Sequence, residues 1–79
     1  MRVLFFAQLK DATGCDSTGL PVAASVSTEE LWLTLTEKFP ALAAHRKNVR
    51  LAQNLEYAAT DARFLDSDEV ALIPPVSGG

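Results

Sequence analysis

The alternation of apolar and polar residues along the chain predicts where its main strands lie. Residues 2–7 (RVLFFA) are rich in β-branched and aromatic side chains without polar alternation, which is typical of a strand covered on both faces. Residues 70–73 (VALI) have the same character and follow a turn-forming stretch at 66–69 (DSDE). Both apolar segments are therefore predicted to be buried strands, with the first one central in a sheet.

A helix is predicted over residues 27–39. Ser27 is followed three residues later by Glu30, which is the capping-box pattern at a helix start. Pro40 then opposes continuation of the helix. Apolar residues recur within the segment at helical spacing, at Leu31, Leu35 and Phe39.

The other segments give weaker patterns. They predict a loop at 11–19, a second strand at 20–25, a further helical turn at 41–47, a strand at 49–54 and its hairpin partner at 56–59. With one main helix to cover one face of the sheet, this order of elements is an α+β layer arrangement.

The second face of the sheet has no predicted helix to cover it. Leu4 or Phe6, together with Ile73, are therefore candidates for an apolar patch that binds a partner. The alternative is that these side chains line a second, small core beneath a loop.

Composition limits the possible classes of protein. The chain has 79 residues, enough for one domain, and 48% of them are hydrophobic, as in a folded protein. Its net charge is −3 and its seven basic residues are scattered, which argues against a nucleic-acid binder. Cys15 is the single cysteine and cannot form an internal disulfide, so a cytoplasmic location is expected. No segment approaches the roughly 20 apolar residues that span a membrane.

The last residues, PPVSGG (74–79), are predicted to form an extended tail. Pro74 and Pro75 have no N–H to donate, so the sheet ladder should stop at Ile73. Polyproline geometry, at about 3.1 Å per residue, would give these six residues a reach of roughly 19 Å. Gly78 and Gly79 lack a Cβ and would fit a narrow tunnel. The alternative is a frayed terminus without a function.

Two stretches carry a family resemblance: VLFFAQLKDATG near the start and DSDEVALIPPVSGG at the end. They resemble the small subunits of molybdopterin synthase, which are ubiquitin-like β-grasp sulfur carriers. The resemblance implies a single β-grasp domain over 1–79, with a mixed sheet of four to five strands, one main helix on one face, and 74–79 as the tail. Ser67 stands where the family often has glycine, which leaves the turn type there open.

The resemblance also implies a chemistry for Gly79. A ubiquitin-activating-like adenylyltransferase would adenylate the Gly79 carboxylate with ATP and magnesium, and a persulfide donor would convert it to a thiocarboxylate. The tail would then enter the large subunit of the synthase, a heterotetramer, and donate sulfur to a cyclic pterin precursor. This chain would be a non-catalytic subunit with no cofactor of its own. The residues concerned are Pro74, Pro75, Val76, Ser77 and Gly78 for tail insertion, and Phe6, Ile73 and Val76 as candidate contacts with a partner. Lys10 is, apart from the resemblance, a candidate contact at the rim of that interface.

Three alternatives stay open: a sulfur carrier for thiamine or another thiolated product, a ubiquitin-like modifier joined to lysines through Gly79, and an interaction module with an inert tail. Cys15 is interpreted as an incidental thiol, and His45 is assigned no role. Asp66, Asp68 and Glu69 are interpreted as a turn with an acidic edge rather than a cation site.

Overall fold

The computed structural model describes residues 1–74 of the chain. The elements in chain order are β1 (Arg2–Phe5), α1 (Gln8–Thr13), β2 (Ser17–Gly19), β3 (Ser25–Ser27), α2 (Thr28–Lys38), two 3-10 turns (Pro40–Ala44 and Arg46–Asn48), β4 (Arg50–Gln53), β5 (Glu56–Tyr57), β6 (Arg63–Leu65) and β7 (Glu69–Ile73). A five-stranded sheet has the strand order β2-β1-β7-β4-β5, and a two-stranded sheet pairs β3 with β6. The predicted α+β arrangement with a mixed sheet and one main helix is confirmed.

The core lies between one face of the larger sheet and α2. Strands β1 and β7 pair in parallel at the centre of the sheet, with Val3 opposite Val70 and Phe5 opposite Leu72. These four side chains are at most 1% exposed. They form one cluster with the buried residues of α2, which are Leu31, Trp32 and Leu35.

Helix α2 begins and ends as its sequence predicts. The Ser27 hydroxyl accepts a hydrogen bond from the Glu30 N–H at 3.1 Å, and the Glu30 carboxylate accepts one from the Ser27 N–H at 2.9 Å. The capping box is therefore complete. Phe39 is the C-terminal cap, and Pro40 opens the first 3-10 turn, which lies where a further helical turn was predicted.

The hairpin of β4 and β5 is also confirmed. Asn54 and Leu55 occupy its turn with φ angles of 51° and 73°. Two central residues with positive φ are the mark of a type I′ turn, which suits the twist of a two-residue hairpin. At the other predicted turn, Ser67 does not have a positive φ, so serine fits there without strain.

Three predictions about the elements are wrong. The strand predicted at 20–25 is absent: β2 ends just before that segment, and β3 begins only at its last residue, Ser25. The segment predicted as a loop at 11–19 contains the end of α1, which stops where Gly14 adopts a left-handed φ of 76°. Strands β1 and β7 are covered on one face only, because no element of residues 1–74 packs against the other.

Candidate functional site

One face of the five-stranded sheet is left open on the side away from α2. Side chains on neighbouring strands alternate between the two faces, so the register sets Leu4, Ala71 and Ala52 in one row on this side. A shallow concavity of about 240 Å³ lies over that row. We call this surface the open face, and the residues that line its concavity are Leu4, Phe6, Ala52, Leu55, Glu69, Ala71 and Ile73.

Phe6 and Ile73, which the sequence singled out as a patch, line the same concavity. Phe6 keeps 43% of its surface exposed and Ile73 is half-buried. A closed second core, the alternative for these side chains, is therefore absent from residues 1–74. The structure brings the two residues together on an apolar surface, and their role in binding a partner stays a prediction.

Lys10 lies beside this surface. Helix α1 brings it to a second concavity of about 220 Å³, which it lines together with Arg2 and Asp16. Leu4 and Phe6 line both concavities, so the second one continues the open face toward β2. Lys10 is exposed, which suits the predicted contact at the rim of an interface.

The sequence reasoning missed the far end of the open face. Tyr57 lies directly opposite Ala52 across the hairpin, which places both on the same side of the sheet. Its ring is covered by Arg50, and Tyr57 remains 60% exposed. Leu55 at the turn is 93% exposed. The two-residue hairpin at Asn54 and Leu55 sets this register, but its turn gives only a weak signal in the sequence, because leucine is rare at a positive φ.

The open face leads directly to the tail. Strand β7 contributes Ala71 and Ile73 to the face and ends at Ile73, as predicted from the two prolines. Pro74 follows and is half-buried. The other predicted tail residues lie outside the described part of the chain, and they are Pro75, Val76, Ser77, Gly78 and Gly79.

The acidic turn at the foot of β7 has a structural role. The buried Asp68 carboxylate accepts hydrogen bonds from the Leu65 N–H at 2.8 Å and from the side-chain amides of Asn54 and Gln53 at 3.0 and 2.8 Å. These hydrogen bonds stabilise the carboxylate and lower the pKa of Asp68, and the largest effect comes from the Leu65 N–H.

Asp66 accepts hydrogen bonds from the Val22 N–H and from the amino group of Met1, and these contacts lower its pKa.

Within residues 1–74 no cluster of three or more acidic, histidine or cysteine side chains could hold a metal ion. Cys15 is half-buried and packs against the core. No helix of the described chain is both long and apolar enough to cross a membrane.

Comparison with known proteins gives matches along nearly the whole sequence. The model of the ThiS family matches residues 3–79. The molybdopterin synthase sulfur carrier subunit of Arabidopsis thaliana is 38% identical over 79 residues, which is 100% of this chain and 82% of that protein. The human protein of the same name is 33% identical and covers 100% of this chain and 93% of its own length.

Two solved structures are similar in fold and sequence. SAMP1 from Haloferax volcanii has a TM-score of 0.84 and 27% identity, covering 100% of this chain and 98% of that one. A chain from the protein–protein complex of subunits 1 and 2 of the molybdopterin-converting factor from Helicobacter pylori has a TM-score of 0.71 and 25% identity, covering 99% of this chain and 96% of that one.

Proposed function

This chain belongs to the ThiS family, and from that premise we propose that it is the sulfur carrier and small subunit of a molybdopterin synthase. Relatives named as that subunit match it over its full length at 33–38% identity. The observation that carries the proposal is that β7 both lines the open face and leads into the tail at Pro74. When a partner binds the open face, the first residue of the tail would therefore lie at a fixed position relative to that partner.

The proposed chemistry takes place at Gly79. Its carboxylate attacks the α-phosphate of ATP, held with magnesium by an adenylyltransferase partner, and pyrophosphate leaves. The terminal sulfur of a persulfide donor then attacks the acyl carbon and AMP leaves, which gives an acyl disulfide. A second thiol of the sulfur-donating partner cleaves the S–S bond, so that the thiocarboxylate is released and the two partner sulfurs end as a disulfide. Glycine suits both steps because it has no Cβ to obstruct an approach to its carboxyl carbon. The catalytic groups and the nucleotide belong to the partner enzymes.

The open face would dock the large subunit of the synthase. Its centre is apolar, and its rim carries Lys10 and Arg2, which matches the usual design of an interface with an apolar core and a polar rim. The complex of two subunits described for the Helicobacter pylori protein supports a partner of this kind. We propose that the tail, residues 74–79, then enters the large subunit and delivers sulfur to the cyclic pterin precursor.

We propose that the adenylyltransferase docks on the same open face. The chain would then bind its two partners one after the other, because two proteins cannot occupy the same face at once. Two sulfur atoms are needed for one dithiolene, which fits a heterotetramer with two carriers. A cytoplasmic location is part of this proposal and rests on the single cysteine.

A second function is favoured by one observation. SAMP1, a small archaeal modifier protein, matches the chain with a TM-score of 0.84. A ubiquitin-like modifier would use the same activated Gly79 but would pass it to lysine amines of target proteins instead of loading it with sulfur.

Intact-mass spectrometry separates these functions. The chain is produced together with its adenylyltransferase and sulfur donor, and its mass is measured. A gain equal to the difference between sulfur and oxygen, located at Gly79, is expected for the carrier. Lysine-linked conjugates without that gain would establish the modifier instead, and an unchanged mass with no conjugates would refute both functions. Reconstitution with the large subunit then tests whether the pterin precursor gains sulfur.

A further inference from the structure

Ala7 has a backbone conformation that L-residues rarely adopt. Its φ and ψ angles are 51° and −128°. The Leu9 N–H donates a hydrogen bond to the Phe6 carbonyl at 3.0 Å, which closes a four-residue turn with Ala7 at its second position. These angles are those of a type II′ turn, whose second position is dominated by glycine. An alanine methyl is strained there, and such strain persists only where the surroundings hold it.

Buried side chains hold this turn at both ends. Phe5, just before it, is 1% exposed and its ring meets the Phe39 ring edge-on at 5.4 Å. Leu9, at the end of the turn, is fully buried in the core. Phe6 lies between these two anchors and points outward to line both concavities of the open face. The strained residue therefore directly follows the exposed aromatic residue of the proposed docking surface.

We infer that Ala7 is a positioning residue for docking: it confines the backbone beside Phe6, so that the Phe6 ring is already in its binding position before a partner arrives. The inference rests on the proposed function of the open face. An alanine in this region has a narrow range of φ and ψ, whereas a glycine has a wide one. Ordering a mobile aromatic anchor during association costs affinity, and pre-organisation removes that cost.

Three chains test the inference: the natural one, the Ala7→Gly variant, and a synthetic chain with D-alanine at position 7. D-Alanine favours a positive φ and still carries a methyl group, so it should remove the strain without loosening the turn. The thermal midpoint, the relaxation of a ¹³C-labelled Phe6 ring, and the dissociation constant for the large subunit are measured for each. Ala41→Gly, at an exposed position in the first 3-10 turn, is the matched control.

The variants are expected to separate the effect on stability from the effect on affinity. The D-alanine chain should melt higher and bind as tightly as the natural chain. Ala7→Gly should make the Phe6 ring more mobile and weaken binding by about two- to tenfold, the cost of ordering one side chain. Ala41→Gly should leave both the ring and the affinity unchanged.

The inference is overturned if Ala7→Gly leaves the Phe6 ring as ordered as before, or if the D-alanine chain melts higher but loses affinity. Failure of the proposed function has a different signature. In that case the natural chain itself does not bind the large subunit, and the relaxation of the Phe6 ring alone decides whether Ala7 positions it. If Ala7→Gly impairs folding, the D-alanine chain decides the question.

Discussion

The guanidinium carbon of Arg50 lies 4.1 Å from the centre of the Tyr57 ring. A cation at this distance over an aromatic face is attracted by the electrons of the ring. Arg50 also lies opposite Ile73 in the ladder between β4 and β7. The stacked pair therefore extends the open face from β7 to the edge strand β5, and its outer surface is available to a partner.

Tyr57→Ala should weaken binding to the large subunit by about 1–2 kcal/mol, or roughly five- to thirtyfold, because exposed aromatic residues contribute strongly to interfaces. Stability should change little, since the ring is 60% exposed. Isothermal titration calorimetry measures the affinity. Leu33→Ala is the control, because Leu33 is 57% exposed on α2, on the other side of the sheet. Equal losses from both variants would contradict a specific role for Tyr57.

Ile73→Asp should reduce docking more severely, by about 2 kcal/mol or more, because a carboxylate would be desolvated against an apolar partner surface. The half-buried position on the open face allows the fold to persist, which circular dichroism and amide spectra can verify. Leu33→Asp places the same charge on the opposite side of the molecule and should bind normally. Unchanged affinity of Ile73→Asp would remove this residue from the interface.

The sequence predicts those elements whose signals are local. Helix α2 has its capping box, its apolar spacing and a proline at its end within a few residues, and all of these were visible. Helix α1 has only six residues, too few to be stable alone, and depends on the burial of Leu9 in the core. Strand β6 likewise depends on a distant partner, since Phe64 pairs with Val26 in β3. Such long-range pairings cannot be derived from local propensity.

The candidate site, too, contains residues with a local signal in the sequence and residues whose place depends on strand pairing. Phe6 and Ile73 were predictable because each belongs to an apolar segment, Phe6 to the one near the start of the chain and Ile73 to the one near its end. Arg50 and Tyr57 were missed because their place depends on the exact register of a hairpin whose turn holds Leu55 at a φ of 73°. Leucine is rare in that conformation, so the turn gave only a weak signal in the sequence.

Ser27→Ala should destabilise the fold by about 1 kcal/mol, because the Glu30 N–H loses its hydrogen-bond acceptor. For a domain of this size the thermal midpoint should fall by about 4–8 °C. Ser27→Asp keeps an acceptor at the cap and should restore most of the loss. Affinity for the large subunit should be unaffected, since the cap lies away from the open face. An unchanged midpoint for Ser27→Ala would show that the capping box contributes no net stability.

Asp68→Ala should reduce the free energy of unfolding by about 1–3 kcal/mol at neutral pH, because three partly buried donors lose their acceptor. The folded pKa of Asp68 is lowered, so its contribution is present above the unfolded pKa of about 3.9. The contribution is lost as the pH falls through the folded pKa. Urea titrations between about pH 2 and 7 should therefore show the natural chain and the variant converging at the acid end.

Asp61→Asn is the control for that measurement, because Asp61 is an exposed carboxylate in the nearby loop. It should leave the free energy of unfolding at neutral pH unchanged. A constant difference between Asp68→Ala and the natural chain at every pH would contradict an electrostatic contribution from the Asp68 carboxylate.

Deleting Gly79, or adding one residue after it, should abolish formation of the thiocarboxylate and leave the thermal midpoint unchanged. The deletion leaves a terminal carboxylate one residue short of the reacting position, and the addition converts the Gly79 carboxylate into an unreactive amide. Intact mass after incubation with the adenylyltransferase, ATP, magnesium and the sulfur donor measures the loading. Gly78→Ala keeps the length and adds only a methyl group, so partial loading is expected where the tunnel is narrow. Full loading of the shortened or the lengthened chain would show that Gly79 is not the residue that carries sulfur.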